Sequence, residues 1–304
     1  MIPHGADMGD EKMTTRSIRL AILTFIVSVF MSMSVLANVS YLGPAGTYTE
    51  EASIKYFGEK ETLIAVPTVP GALAKLKSGE CQYSVVPVEN TIGGMVYNYL
   101  DAVIADDDFV IVGEVQLPIR QTLLAVHGAE LQDITTVLSH PQGIAQSKAW
   151  LQANLPKANI MEVSSTAEAA KKVAEGQDKS VAAIAASRTS VVYDLNILAN
   201  DLQYTDTNVT RFWVVTRKQN AAVTGEKAVV AVRGPMNDVS KLLAELDKQK
   251  YQLLSIHDRP AKTKIGEYLF LIELSGPGKT TLAKVCAKYE GKLAARVLGS
   301  FNVK

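Results

Sequence analysis

The segment Asn208-Val209-Thr210-Arg211-Phe212-Trp213-Val214-Val215 runs from a polar turn straight into an apolar, β-branched stretch. That pattern is a loop entering a buried strand. It sets a hydroxyl and a guanidinium side by side at the mouth of a strand, where open α/β sheets carry their ligand sites. The fixed fork of donors on arginine suits a carboxylate. A plain Thr-Arg pair at a strand start is the competing reading, and the rest of the chain has to separate the two.

Upstream, short apolar runs alternate with helical patterns. Strands are expected at Val39–Leu42, Leu63–Val66, Ser84–Val88, Phe109–Val112, Leu123–Val126, Thr136–Leu138, Ile160–Val163 and Val181–Ile184. Helices are expected at Tyr48–Phe57, Val69–Lys77, Gln142–Ala153 and Ala167–Glu175. This describes a parallel-rich α/β body. Lys218 to Gly225 is polar and aperiodic, a linker. Beyond it the order becomes strand Lys227–Arg233, helix Val239–Lys248, strands Tyr251–Asp258 and Glu267–Leu274, helix Thr280–Tyr289 and strand Leu293–Leu298. That βαββαβ order is ferredoxin-like.

With 31 basic and 31 acidic residues the chain carries no net charge. No basic run exceeds a dipeptide, which argues against nucleic acid as a partner. The four histidines show no metal-ligand spacing and there is no CxxC, so no metal is expected. Cys81 and Cys286 read as buried thiols, and spacing alone establishes no disulfide. The first 37 residues differ in kind: Arg16 and Arg19 precede the apolar run Leu20 to Met31 and the small-residue exit Val35-Leu36-Ala37. This reads as a secretory signal cleaved after Ala37, with Met13 a second candidate start. An uncleaved membrane anchor is the alternative. The expected localisation is exported, in a periplasm.

Three further loops repeat the design of the first. Gly43-Pro44-Ala45-Gly46-Thr47 opens a helix after a strand, with Thr47 and Glu50 at capping-box spacing. Pro87-Val88-Glu89-Asn90-Thr91-Ile92-Gly93-Gly94 ends a buried strand in an acid, an amide and a hydroxyl. Ser139-His140-Pro141-Gln142-Gly143-Ile144-Ala145-Gln146 again leads from strand to helix. Each loop alone is a capped turn; polar groups gathered at equivalent strand ends favour a ligand site. Ser275-Gly276-Pro277-Gly278-Lys279-Thr280 is not a phosphate loop, because Glu273 stands where that motif needs its first glycine. The sequons Asn38-Val39-Ser40 and Asn208-Val209-Thr210 are read as accidental.

Together, the Gly43–Tyr48, Pro87–Thr91 and Ser139–Gln142 segments and Asn208-Val209-Thr210-Arg211-Phe212 resemble the prephenate dehydratase family, in order and across essentially all of the chain after Ala37. The resemblance implies two α/β subdomains around a cleft, periplasmic-binding-protein-like, over residues 38–217. It also implies a C-terminal ferredoxin-like ACT domain over 226–304 that regulates and dimerises. It implies a lyase without a cofactor that converts prephenate to phenylpyruvate in phenylalanine biosynthesis. By the same resemblance Thr210 is catalytic, donating to the departing ring hydroxyl. Thr47, Glu89, Asn90, Thr91, Ser139, Gln146 and Phe212 would line the cleft. Arg211 would hold a carboxylate unless it turns inward as a brace, and Glu89 would repel a dianion unless neutralised.

Departures concern preference and regulation. Met95 stands where the family often has serine, and Gln203-Tyr204 replaces an acidic ending, which leaves prephenate against arogenate open. His257-Asp258-Arg259-Pro260 resembles the Glu-Ser-Arg-Pro effector motif, while Asn237-Asp238-Val239 replaces Gly-Ala-Leu. L-phenylalanine is therefore expected to act weakly as an effector, and the domain chiefly to form a homodimer. The reading from another class is a non-catalytic binding protein for a small anion or an amino acid.

Overall fold

The computed structural model describes residues 37–220 and 225–304. The signal-like segment lies outside them apart from Ala37, as do residues 221–224 of the expected linker. The first lobe contains β1 (Asn38–Leu42), α1 (Tyr48–Phe57), β2 (Thr62–Val66), α2 (Val69–Ser78), β3 (Tyr83–Asn90), β4 (Gly94–Met95), α3 (Tyr97–Ile104) and β5 (Phe109–Pro118). The second lobe contains β6 (Thr122–Ala125), β7 (Thr136–Ser139), α4 (Pro141–Asn154), β8 (Asn159–Glu162), α5 (Thr166–Gly176), β9 (Val181–Ala185), α6 (Arg188–Val192) and β10 (Asn196–Ala199). The chain then returns through β11 (Val209–Arg217). It finishes with β12 (Lys227–Arg233), α7 (Met236–Lys248), β13 (Gln252–Pro260), β14 (Tyr268–Ser275), α8 (Lys279–Ala287) and β15 (Ala294–Phe301).

The sheets are mixed rather than largely parallel. β1 pairs in parallel with β2 and β3, whereas β11 inserts antiparallel between β3 and β5. The second lobe is a five-stranded sheet in the order β10-β6-β9-β7-β8. The antiparallel return has a consequence for chemistry. The beginning of β11 comes to lie beside the ends of β3 and β5, so the Thr210 loop and the Asn90 loop meet at one place. The alternation of period two sends successive β11 side chains to opposite faces. Phe212 and Val214 pack with Val39, Tyr41 and Val85, while Trp213 and Val215 pack with Val86, Val229 and Phe301.

The last six elements form the expected βαββαβ unit, with strands in the order β13-β14-β12-β15. It continues the first lobe's sheet, because β15 runs beside β5 with Gly299 opposite Ile111. A Cβ on Gly299 would stand 2.1 Å from the Ile111 carbonyl oxygen, so only glycine permits this approach. Cys81 and Cys286 are both buried and free. Burial raises the Cys81 thiol and pushes Cys286 up to about 11, so both stay protonated and inert at neutral pH. Among the described residues no helix is long and apolar enough to cross a membrane.

Candidate active site

A cavity of about 320 Å³ opens between the lobes, and Thr47, Asn90, Gln146, Thr210 and Phe212 all line it. At its centre Asn90 and Thr210 face each other across the β3–β11 pair. Asn90 Oδ1 accepts from the Ile92 and Gly93 amides at 3.0 and 2.9 Å. Two backbone donors identify that atom as the oxygen, so the amide nitrogen points at β11. Asn90 Nδ2 donates to Thr210 Oγ1 at 3.0 Å. A hydroxyl that accepts this bond keeps its own proton free for another acceptor, and Thr210 lies on the cleft wall.

The remaining candidates fall elsewhere. Arg211 does not face the cavity, because it alternates with Thr210 and Phe212 and points to the opposite face of the sheet. Its guanidinium forks onto Glu273 at 2.8 Å for both contacts and reaches Glu114 at 3.3 Å. Its Nε lies 2.6 Å from Glu89 Oε2, a close ion pair without an aligned N–H. Lys227 completes the cluster, 2.7 Å from Glu114 and 3.0 Å from Glu273. The inward brace, not the carboxylate clamp, is what the structure forms.

Glu89 is drawn into the same cluster, and the cause is a bulge. Thr210 pairs with Asn90 and Arg211 with Glu89, but Phe212 pairs with Pro87, which leaves Val88 as an extra residue. Strict alternation from Pro87 would have put Glu89 in the cleft. The extra residue reverses the faces and delivers Asn90 instead. The repulsion expected between Glu89 and a dianion does not arise.

Thr91 ties two loops together: its hydroxyl donates to the Thr207 carbonyl and accepts from the Val209 amide. Ser139 is fully buried and donates to the Ile184 carbonyl at 2.8 Å, with Gly143 packed over it. Both shape the cleft from outside it. Gln146 accepts from Gln121 Nε2 at 2.9 Å, so the two amides form a fixed pair on the wall.

Three helices begin at the cavity. Thr47 caps α1, His140 caps α4 and Ser165 caps α5, each accepting from a first-turn amide. Tyr48, Thr49, Gly143 and Thr166, from the same first turns, also line the space. Helix N-termini carry partial positive charge and unpaired N–H groups. Among the described residues lining the cavity there is no Arg, Lys, Asp or Glu. What the wall offers an anion is therefore these helix starts and not a salt bridge. The Tyr48 phenol, whose pKa is raised by burial and then by Glu51, stays protonated and donates to the Arg120 carbonyl at 2.6 Å. Tyr48, Tyr99, Gln121, Gln142 and Thr166 were not among the sequence candidates. The spacing Ser165…Glu168, a second capping signature, was the available signal for α5.

Comparison with known proteins gives the family. The sequence model of the family described as Prephenate dehydratase matches residues 39–220. The chain belongs to the prephenate dehydratase family. It is accordingly a carbon–oxygen lyase of the hydro-lyase class. Over 268 residues it is 34% identical to a bifunctional chorismate mutase/prephenate dehydratase of Neisseria gonorrhoeae, covering 87% of this chain and 74% of the relative. It is 30% identical over 275 residues to a prephenate dehydratase of Lactococcus lactis subsp. cremoris, covering 88% of this chain and 98% of that one. A crystal structure of an Arthrobacter aurescens prephenate dehydratase in complex with L-Phe superposes with a TM-score of 0.77 at 31% identity, covering 87% and 89% of the two chains.

The charged cluster behind Thr210 has a measurable signature. Burial alone would raise the Glu273 carboxyl, but hydrogen bonding and attraction from Arg211, and then Lys227, outweigh it and hold the pKa at about 2. A depressed folded pKa contributes stability above the unfolded value, roughly 4.3, and that contribution disappears as pH falls toward the folded one. Glu273→Gln should destabilise the protein by about 3 kcal/mol at pH 7, since it uncouples a buried pair. Urea unfolding should show the gap to wild type narrowing between about pH 5 and pH 3. A gap independent of pH would contradict an ionised Glu273.

Proposed function

We propose that this cleft converts prephenate to phenylpyruvate, carbon dioxide and water, with Thr210 as the group that assists loss of the ring hydroxyl. The observation that carries the reading is the Asn90–Thr210 pair, an oriented hydroxyl on the wall of a cleft whose family is prephenate dehydratase. Prephenate is a dianion and the product phenylpyruvate a monoanion, so each turnover consumes one proton. That proton leaves in the water formed when the ring C–O bond breaks. The electrons of the ring-to-carboxylate bond become part of the aromatic ring as carbon dioxide departs. Thr210 donates its hydrogen bond to the leaving oxygen, and solvent supplies the net proton. Help of this kind accelerates a reaction roughly 10²–10⁴-fold.

The lack of a cationic side chain on the wall fits this chemistry. Amides at the starts of α1, α4 and α5 can bind the carboxylates. A dipole also gives less ground-state stabilisation than a full ion pair to a carboxylate whose charge must vanish. Conversion of arogenate would require the wall to accept an ammonium in place of the side chain's keto oxygen, and no carboxylate lines it to do so.

The C-terminal unit is read as an ACT domain with little response to phenylalanine. Asp238 stands at the start of α7, paired with Lys241 at 2.8 Å, where the effector motif would have small residues. Arg259 is held by Asp101 of the first lobe at 2.7 and 2.9 Å and lies over the Tyr97 ring. Asn237, Val239, His257, Asp258 and Pro260 complete the two motif positions. β13 is the free edge of the large sheet and exposes Leu253, Leu254 and Ile256, apolar surface that a second copy would cover. The segment before Asn38 supports an exported form, whose signature is a mature N-terminus at that residue.

Thr210→Ala should lower kcat/KM for prephenate at least about a hundredfold while the unfolding temperature stays close to wild type. Phenylpyruvate absorbance in alkali reads it, and a loss below about tenfold would remove Thr210 from the mechanism. Calorimetry with L-phenylalanine should give no binding tighter than about 1 mM, roughly 4 kcal/mol. A micromolar site would overturn the weak-effector reading.

A further inference from the structure

Asn208 begins the segment on which the fold turns, and neither a sequon nor a cleft position accounts for it. It is 1% exposed, so its amide is closed to any glycosylating enzyme in the folded protein. Its backbone carbonyl accepts from the Ile119 amide at 2.8 Å, which anchors it where the two chain crossings between lobes run side by side. Its side-chain Oδ1 accepts from Asn90 Nδ2 at 2.7 Å. Its own Nδ2 is buried and has no protein partner.

We infer that Asn208 is a positioning residue for the reaction, acting on Thr210 through Asn90. This rests on Thr210 being the donating group of the cleft. Asn90 Nδ2 carries two hydrogens and lies near three acceptors: Asn208 Oδ1 at 2.7 Å, Thr210 Oγ1 at 3.0 Å and the Val209 carbonyl at 3.3 Å. The shortest contact takes one hydrogen. That contact, together with the Ile92 and Gly93 amides at the oxygen end, holds the Asn90 side chain in place. The second hydrogen is then left for Thr210 Oγ1 and the more distant Val209 carbonyl. Because Thr210 accepts that bond, its own hydrogen is directed to the substrate instead of back to Asn90. Removing Asn208 Oδ1 frees the Asn90 amide to drop onto the Val209 carbonyl, and the orientation of the Thr210 hydroxyl is lost. Substrate contacts are untouched, so the effect belongs in kcat and not in KM.

The test is a double-mutant cycle on Asn90 and Asn208, with prephenate turnover and thermal unfolding measured for every variant. Asn208→Ala is expected to lower kcat by about tenfold with KM within about threefold of wild type. In an Asn90→Ala background the same change should cost less than about twofold, because its route to Thr210 is already cut. Equal losses in both backgrounds would overturn the inference. Asn208→Asp keeps an accepting oxygen and replaces the unpartnered nitrogen by a second carboxyl oxygen. Its kcat should stay within about threefold of wild type, while any repulsion of the dianion appears in KM. A tenfold fall in kcat for a folded Asn208→Asp would overturn the inference even if the alanine variant failed to fold. The parent reading fails separately: it falls if Thr210→Ala keeps its activity, whereas additivity in the cycle with Thr210→Ala inactive removes only the role of Asn208.

Discussion

A β-strand can give each neighbour only alternate side chains, and β11 divides its residues between the cleft and the C-terminal unit. Thr210 and Phe212 look into the cavity, while Arg211 and Trp213 look the other way. Arg211 is held there by carboxylates from three strands, Glu89, Glu114 and Glu273, with Lys227 as the second cation. Burial opposes its charge, but the bonds from Glu273 and attraction from Glu114 and Glu89 prevail and raise its pKa. A buried charge so fully engaged resists rotation of the strand, and the same rigidity fixes where the Thr210 hydroxyl stands. Arg211, beside Thr210, thus ties this end of β11 to Glu273 on β14, 62 residues further along the chain.

Among the described residues, the cleft wall carries no Arg or Lys side chain that could form a salt bridge with a dianion. Three helices start at its rim, and strand ends from both lobes bring side-chain amides and hydroxyls between them. This follows from the topology: parallel βα units place helix starts at the carboxyl ends of strands, and the antiparallel β11 adds its own beginning to the same place. The proposed function therefore divides substrate recognition and proton placement between different structures. In the proposed reaction, backbone dipoles hold the anion and the Asn208–Asn90–Thr210 row sets the proton.

Much of this was legible in the sequence because it rests on local chemistry. The β-branched run after Thr210, the capping signature Thr47…Glu50 and the βαββαβ order each announce their element directly. What escaped depends on partners distant along the chain. No periodicity reveals the bulge at Val88, yet that one extra residue exchanges Glu89 for Asn90 on the cleft wall. Ser139 has the composition of a site residue, but the β7–β9 pairing places the Ile184 carbonyl within reach and buries its hydroxyl. In the sequence Arg211 reads as either clamp or brace, and Glu273 and Glu114 from other strands decide it. Asn208 reads in the sequence as a chance sequon, because its acceptor role exists only once β3 lies alongside.

The most direct test is a structure of the protein with a prephenate analogue that keeps the ring hydroxyl and both carboxylates but cannot aromatise. The expected result has the ring hydroxyl about 2.6–3.2 Å from Thr210 Oγ1, and the carboxylates against first-turn amides of the cleft helices. An analogue bound with its ring hydroxyl turned away from Thr210 would contradict the assignment of the proton to this threonine.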